Sequence, residues 1–372
     1  MPTPHSQRLE RWLGAQRIAD MSFALRDWYG PPIAIAGAPG TIYATGGGDF
    51  CGEYRGSSEV DAVTRAEEVV RRIRRQRFLH RFWRQRGAFS GLSALIAAKT
   101  GGKSVLMSFN KTGTAPTAIN GAMDCWMYAG QPSAGSAGAA LATGTSPTNS
   151  TTGNMGYINA VVNANTGHFV NAWAEATVAA NNLLLIDLLF RGAVTMTATT
   201  AQSVTGTFSR YQSTTPGALN SAAGSFLYPA VTGTVLASVA HNWTPCQYTN
   251  QAGTAGQTVP SIAGISACAK NQIDLALNNW FMPLAAGDTG LTAVTQVQLS
   301  ADVTSGTADI CVAHPIAMLA CPIASLALFV DGVTSAFNLQ QVYDNACLSL
   351  LELPKVATTA TSYTGQVLTV SE

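Results

Sequence analysis

The four residues Gly101-Gly102-Lys103-Ser104 match the end of the phosphate-binding P-loop motif. In that motif a lysine and backbone N–H groups bind phosphate oxygens, and a further glycine stands five residues before the second glycine. Ala97 occupies that position here, so the stretch is predicted to be a linker. The run Gly46–Gly48 is not followed by a helix with a suitably placed acidic residue, which excludes a dinucleotide fingerprint.

The histidines and cysteines are spaced too widely for a familiar metal site. The sequence contains no HExxH pair and no CxxC pair, and zinc ribbons and fingers need close pairs of ligands. Most of the cysteines have apolar neighbours, which predicts small core residues and folding in a reducing cytoplasm. The residues are His5, His80, His168, His241 and His314, with Cys51, Cys125, Cys246, Cys268, Cys311, Cys321 and Cys347.

One carboxylate has the setting of a functional acid. Asp187 lies within the apolar run Leu183–Phe190, and a carboxylate buried without a partner has a raised pKa. More often such a residue pairs with an arginine, so we expect Asp187 to pair with Arg191 or Arg210. The sequence also lacks a Gly-x-Ser-x-Gly elbow. We therefore expect a protein that is not an enzyme and binds no cofactor or metal.

The strongest chemical signal is a run of eight arginines within residues 71–86, with no acidic residue among them. The run has three interpretations: a solvated helix face, a nucleic-acid contact in which Phe78, Phe82, Trp83 and Phe89 stack on bases, or docking onto an acidic protein surface. Docking is favoured because arginine and aromatic residues are the strongest interface anchors. The predicted docking residues are Arg71, Arg72, Arg74, Arg75, Arg77, Arg81, Phe82, Trp83, Arg84 and Arg86.

A helix near residues 58–86 is expected to carry this run. Ser58 is a suitable N-cap with Asp61 three residues later, and Gly87 is a suitable stop. An apolar stripe recurs at helical spacing, formed by Val63, Ala66, Val70 and Ile73. Residues 1–106 hold 16 basic and 9 acidic residues, whereas residues 107–372 hold 5 and 11. The sequence thus predicts a basic N-terminal arm, 1–106, ahead of an acidic body, 107–372.

The body has the composition of a β protein. Of the 372 residues, 47% are hydrophobic but only 11% are charged, which excludes a chain disordered throughout. Short strand-like runs alternate with Gly, Asn, Ser and Thr, which favours an antiparallel β-sandwich or jelly roll with an extended C-terminal tail. The expected strands are a central one at Leu183–Phe190, others at Val204–Tyr211, Val231–Val239 and Asn242–Thr249, and a hairpin of residues 294–301 with residues 308–313.

Further expectations concern the interior and the membrane. The predicted core includes Leu183, Leu185, Leu189, Val297, Leu299, Ile310 and Val312. Residues 315–330 carry no charge but are shorter than the roughly 20 residues needed to span a bilayer, and two prolines interrupt them. We interpret them as a buried strand, a turn and another buried strand. The N-terminus has no apolar segment typical of a signal peptide.

Four stretches within residues 120–320 resemble a known group of proteins. The last two are the most specific, and the four are Met123-Asp124-Cys125-Trp126, Asn182–Leu189, Tyr248–Gly256 and Leu284–Gly290. In these stretches the body resembles tailed-bacteriophage virion structural proteins. The resemblance implies a particle component built from β-sandwich modules and without catalysis. It does not assign a position on the head, neck or tail.

Two classes of function follow. In the first, the chain is a capsid decoration or cement protein whose basic arm docks onto the major capsid protein or another virion protein. We expect a homo-oligomer located in the virion and assembled in the host cytoplasm, with nucleic acid the less favoured partner and no membrane contact. In the second, it is a neck, tail or fibre component with an adhesin or carbohydrate-binding sandwich. Sugar rings would then stack on Trp126, Tyr128, Trp173, Trp243 or Trp280.

Overall fold

A computed structural model describes two compact units, Met1–Arg84 and Gln85–Glu372. The second unit begins ahead of the predicted boundary at 106/107. The predicted helix near 58–86, with its arginines, lies outside the described residues. The structure describes residues 41–45, 51–55, 92–117, 121–156, 167–179, 181–215, 218, 220–276, 279–332, 340–353 and 359–371.

The first unit contributes one described element, a two-stranded antiparallel pair. Strand β1 (Thr41–Thr45) pairs with β2 (Cys51–Arg55), and Thr41 stands opposite Arg55. The two strands flank Gly46–Gly48 in the sequence.

The second unit is mainly β and almost wholly antiparallel, which confirms the predicted fold class. One helix, α1 (Leu92–Thr100), precedes the strands, and two short 3₁₀ helices cover Cys125–Met127 and Leu141–Thr143. The strands are β3 (Ser104–Thr112), β4 (Met123–Asp124), β5 (Ala129–Gln131), β6 (Ala139–Ala140), β7 (Gly167–Ala176), β8 (Asn181–Val194), β9 (Gln202–Ser203), β10 (Phe226–Val231), β11 (Asn242–Trp243), β12 (Cys246–Asn250), β13 (Gln257–Val259), β14 (Ile262–Ala263), β15 (Leu291–Val297), β16 (Ala308–Cys321), β17 (Leu328–Asp331), β18 (Gln341–Val342), β19 (Leu348–Glu352) and β20 (Ser362–Ser371).

The first large sheet has the strand order β10-β16-β8-β19-β4, with β6 pairing β8 in parallel. Its centre is the long pair β8 and β16, each of 14 residues and buried at nearly every position. Such a continuous apolar run is typical of a strand covered on both faces. The central strand predicted at Leu183–Phe190 is therefore confirmed.

The second large sheet has the order β17-β7-β20-β3-β5, with β18 also pairing β7. Buried side chains alternate with exposed ones along β3 and with half-buried ones along parts of β7 and β20, so one face meets the core and the other faces outward. The C-terminal stretch, predicted as an extended tail, is part of the body, because β20 lies between β7 and β3.

A third sheet has the order β13-β12-β15-β9, and β11 pairs with β14 in a two-stranded sheet. Residues 251–256 join β12 to β13, which pair with each other. A single hydrophobic core runs through the second unit, and the seven predicted core residues are all fully buried in it.

Several local predictions were wrong. The predicted hairpin of residues 294–301 and 308–313 does not form, because β15 pairs with β12 and β9 whereas β16 pairs with β8 and β10. Residues 204–211 are not a strand, although Phe208 and Tyr211 are buried in the core. The strand predicted at Val231–Val239 ends at Val231 as β10. Residues 242–249 divide into β11 and β12.

The segment 315–330 also differs from its prediction. Strand β16 continues through Pro315 to Cys321 with a register shift between Pro315 and Ala317. The second strand, β17, is not buried, since Phe329 is 75% exposed. No helix in the part of the chain that the structure describes is long and apolar enough to cross a membrane.

Candidate functional site

The predicted docking residues, from Arg71 to Arg86, lie outside the described residues, so the structure assigns them no geometry. The site residues that it does describe belong to the body. They fall into three groups: buried ion pairs, the contact between the stretches Tyr248–Gly256 and Leu284–Gly290, and aromatic side chains at the surface.

The two buried arginines of the body each bind carboxylates from other segments. Arg210 binds Asp187 through two hydrogen bonds of 2.9 Å, and this outcome confirms the prediction that Asp187 pairs with an arginine. Arg191 lies between two carboxylates, with Nη1 donating to Asp124 at 2.6 Å and Nε donating to Asp309. Because these contacts join β4, β8 and β16, the ion pairs hold the first large sheet together.

Sequence reasoning missed the partners of Arg191. Asp124 also accepts a hydrogen bond of 3.0 Å from the backbone N–H of Trp126, which caps the 3₁₀ helix Cys125–Met127. The signal that could have found this cluster is the scarcity of basic residues in the body, because a buried arginine must be paired.

The described cysteine side chains lie in surroundings that make their thiols unreactive. The six cysteines whose side chains the structure describes are buried and free, which confirms the core interpretation for them. Burial raises the pKa of Cys246 and of Cys321 to about 11, so both remain protonated at neutral pH. Among the described residues, no three His, Cys, Asp or Glu side chains are grouped to hold a metal ion.

The two most specific stretches of the resemblance, Tyr248–Gly256 and Leu284–Gly290, meet in space. The hydroxyl of Tyr248 donates to Asp288 Oδ2 at 2.6 Å and accepts from the backbone N–H of Ala285 at 2.8 Å. Asn250 Nδ2 donates to the other oxygen of Asp288 at 2.8 Å. Burial, followed by the hydrogen bond to Asp288, raises the pKa of Tyr248 to about 12.

The loop after β12 is held by the same asparagine. Asn250 Oδ1 accepts from the backbone N–H groups of Ala252 and Thr254, and Gln251 Oε1 accepts from those of Thr289 and Gly290. Gly253 has a φ of +81°, which favours glycine over residues with a Cβ atom. The residue types in these two stretches therefore build a fixed loop junction.

An aromatic pocket of about 240 Å³ adjoins this junction. Trp280 lies 5.0 Å from Phe226 and 4.6 Å from Phe281, measured between ring centroids, and both contacts are edge-to-face. The wall is completed by Gly224, Ser225, Leu284, Asp288, Thr289 and Pro315. The pocket is thus lined mainly by apolar side chains, with Ser225, Asp288 and Thr289 as its polar members.

A buried histidine lies behind Ser225. His314 stacks on Tyr211 with ring centroids 3.8 Å apart, and its Nδ1 is 3.0 Å from Ser225 Oγ. Since Gln340 Nε2 donates to His314 Nε2 at 3.0 Å, the ring proton resides on Nδ1 and is donated to Ser225. Burial lowers the pKa of His314 to about 3. In this arrangement the imidazole cannot take a proton from Ser225, so the pair is structural.

The aromatic residues considered for sugar binding divide into two groups. Trp126, Tyr128 and Trp243 are no more than 1% exposed and belong to the core, so they are not available to a glycan. Trp173 and Trp280 are half-buried at the surface. Trp173 lies on the outward face of the second large sheet, 6.4 Å from the exposed ring of Phe329.

No family model and no curated protein matches the chain. Among solved structures, it is similar to the VP2 subviral particle of infectious bursal disease virus, with 9% identity, 72% of this chain and 80% of that chain covered, and a TM-score of 0.15. The T=1 particles derived from the same virus give 11% identity, coverage of 72% and 77%, and a TM-score of 0.15. Scores this low define no common fold.

Proposed function

We propose that this chain is a non-enzymatic structural protein of a tailed-bacteriophage particle, and that it is a decoration or cement protein of the head. Four stretches of the body resemble virion structural proteins of such phages, and each has a structural role in this fold. Asp124 and Asp187 bind buried arginines, while Tyr248 and Asp288 join two loops. These side chains bind other groups of the body and so stabilise its fold.

The observation that carries the proposal is the segregation of charge. Residues 71–86 contain eight arginines and no acid, whereas residues 107–372 contain 5 basic and 11 acidic residues. Of the basic side chains described in that second range, Lys111, Arg191 and Arg210 are buried and only Lys270 is exposed. A basic segment joined to an acidic body is the layout of a subunit that is tethered through one part and presents the other.

The proposed attachment combines charge with aromatic anchors. Exposed ion pairs contribute only about 0.2–1 kcal/mol each and are weakened by salt. Arginines alone would therefore hold the protein loosely. Phe82 and Trp83 would make the contact durable by entering apolar pockets of the capsid surface, because truncating such anchors costs about 2 kcal/mol or more.

Two sets of full-length variants test this attachment. One set replaces Arg74, Arg77, Arg81 and Arg84 with Ala, and the other replaces Phe82 and Trp83 with Ala. The measurement is the amount of each variant that stays on purified particles after washes at low and high salt. Relative to the wild type, we expect the arginine set to lose protein mainly at low salt, where its ion pairs contribute, and the aromatic set to lose more, above all at high salt, where the remaining ion pairs are screened. Full retention of the aromatic set would contradict docking through this segment.

The alternative of a carbohydrate-binding neck, tail or fibre component has less support. Three of its five candidate aromatic residues are core residues. The copy number of the chain in the particle separates the two functions, because a decoration protein follows the number of capsid subunits and a fibre or neck part does not.

A further inference from the structure

The outward face of the second large sheet carries a row of four side chains in direct register. Phe329 of β17 stands opposite Trp173 of β7, which stands opposite Gln366 of β20, which in turn stands opposite Ser108 of β3. Side chains at directly opposed positions lie on the same face with Cβ atoms about 4.5–5.5 Å apart. We call this row the aromatic row.

The indole of Trp173 is held in place by its neighbours. Its Nε1 donates to Gln366 Oε1 at 3.1 Å, and Gln366 Nε2 donates to Ser108 Oγ at 3.4 Å. The polar edge of the indole is therefore occupied within the sheet. Phe329, 75% exposed, lies with its ring centroid 6.4 Å away at an angle of 47°. The two rings form an ordered aromatic surface, and the ring faces are the part of it that can contact a ligand.

Acidic residues lie on both sides of this surface. Glu175 is two residues beyond Trp173 along β7, and Asp331 is two residues beyond Phe329 along β17, so both share the outward face. Both are at the surface, Asp331 exposed and Glu175 half-buried. Among the described residues of β3, β5, β7, β17 and β20, the only lysine or arginine is Lys111, which is buried on the inner face. The face is therefore negative as well as aromatic.

An exposed apolar side chain extends this surface. Leu106 is two residues from Ser108 along β3, so it shares the outward face, and it is 60% exposed. Exposed apolar and aromatic side chains on one face are typical of protein contact sites. A small polar ligand would not need them.

We propose that the aromatic row binds an arginine-bearing segment of a protein partner. The guanidinium group stacks on the ring faces of Trp173 and Phe329 and pairs with Glu175 or Asp331, while apolar residues of the same segment contact Leu106. A planar cation over an aromatic face contributes most where a carboxylate also lies nearby. The negative face disfavours nucleic acid and other anionic ligands. The inference is independent of the proposed particle role.

The test measures binding of the full-length protein to an arginine-rich peptide, to the same peptide with citrulline in place of arginine, and to its lysine counterpart. Citrulline keeps the shape of arginine without its charge. The expected order of affinity is arginine, then lysine, then citrulline, with about a tenfold loss between the first and the last. Equal binding of the arginine and citrulline peptides would overturn the proposal.

Matched variants locate the site. Trp173→Ala and Phe329→Ser are each expected to weaken binding of the arginine peptide by about tenfold, which is the effect of losing about 1.4 kcal/mol. The second variant alters a side chain that is 75% exposed, so it leaves the fold intact. Phe281→Ala, an exposed ring outside this face, should bind as the wild type does.

Charge variants complete the test. Glu175→Gln combined with Asp331→Asn should weaken binding several-fold and remove most of its salt dependence, whereas Asp302→Asn, at an exposed site elsewhere, should do neither. If Asp302→Asn weakens binding as much as the double variant, the peptide is responding to net charge and the proposal is wrong. Binding of neutral oligosaccharides, but not of the arginine peptide, that is lost in Trp173→Ala would also overturn it.

Discussion

At the scale of single residues, the body uses its few basic side chains as internal ties. Arg191 and Arg210 are 2% and 1% exposed, and each binds carboxylates that come from distant parts of the chain. Arg210 also donates to the backbone carbonyl groups of Pro147 and Leu188, both at 2.8 Å. Arg210, which has this many fixed partners, contributes to stability mainly by pairing buried polar groups.

The Arg210 pair yields a prediction about stability. Arg210→Met leaves Asp187 buried without its cation, and breaking a buried pair from one side costs about 3–5 kcal/mol. The double variant Asp187→Leu with Arg210→Met removes both charges and should be clearly more stable than the single variant. Urea unfolding of the three proteins measures the difference. A single variant as stable as the wild type would show that the pair does not stabilise the body.

His314 yields a prediction about pH. Its pKa is about 3 in the folded protein, well below the ordinary value near 6.5, because the ring is buried. Below pH 6.5 the unfolded chain takes up a proton at this residue and the folded chain does not, so stability falls as the pH is lowered to about 3. The slope from this group approaches about 1.4 kcal/mol per pH unit, and above pH 6.5 it contributes none.

His314→Gln should make the free energy of unfolding less dependent on pH in that window. The readout is the slope between pH 6.5 and 4, not the level, because the substitution also removes the stacking on Tyr211. His241 acts in the opposite direction. Burial lowers its pKa, but the hydrogen bond and charge of Asp274 outweigh burial and raise it. Its stabilising effect is lost as the pH rises through that raised pKa. Equal slopes in the wild type and His314→Gln would contradict the assignment.

At the scale of elements, the sequence predicted the strands that local composition specifies. Leu183–Phe190 is apolar at nearly every position, and in so short a run that pattern is typical of a strand covered on both faces. Residues 294–301 and 308–313 were also predicted as extended chain, and both contain strand. Their pairing was predicted wrongly, because pairing depends on distant partners such as β12 and β8, which no local pattern encodes.

Side-chain contacts explain the other differences. Residues 204–211 have strand-forming residue types, yet Phe208 and Tyr211 are buried without strand pairing, and Tyr211 has a φ of +52°. The meeting of Tyr248 with Asp288 joins two loops 40 residues apart, so only the folded chain reveals it. The pairing of Asp187, by contrast, was predictable, because a buried carboxylate needs a cation and few were available.

Gly365 in β20 yields a prediction for the second large sheet. A Cβ atom at this position would clash with the backbone carbonyl oxygen of Trp173 and the ring of Phe109. Gly365→Ala should therefore lower the free energy of unfolding by about 1–3 kcal/mol, since the backbone must shift. Thr364→Ala, on the outward face of the same strand, should change it by less than about 0.5 kcal/mol. Chemical unfolding compares the two, and equal effects would contradict the close packing of β20 on β7.

At the scale of the whole molecule, two features support the proposed function. The second unit is one β body with a continuous core, in which buried ion pairs and a loop junction fix the sheets. The sequence joins that body to a segment that concentrates positive charge and aromatic residues within a short stretch. Together they describe a subunit built to be attached and displayed, which is the basis for proposing a decoration protein.

The most direct test is the ratio of this chain to the major capsid protein in purified particles of the phage proposed to encode it, measured by quantitative mass spectrometry after a low-salt wash. If the chain is a decoration protein of the head, the ratio is fixed by the number of capsid subunits. Particles that have lost their tails then show the same ratio. Absence of the chain from washed particles would contradict a structural role. A few copies per particle that are lost with the tail would contradict decoration of the head.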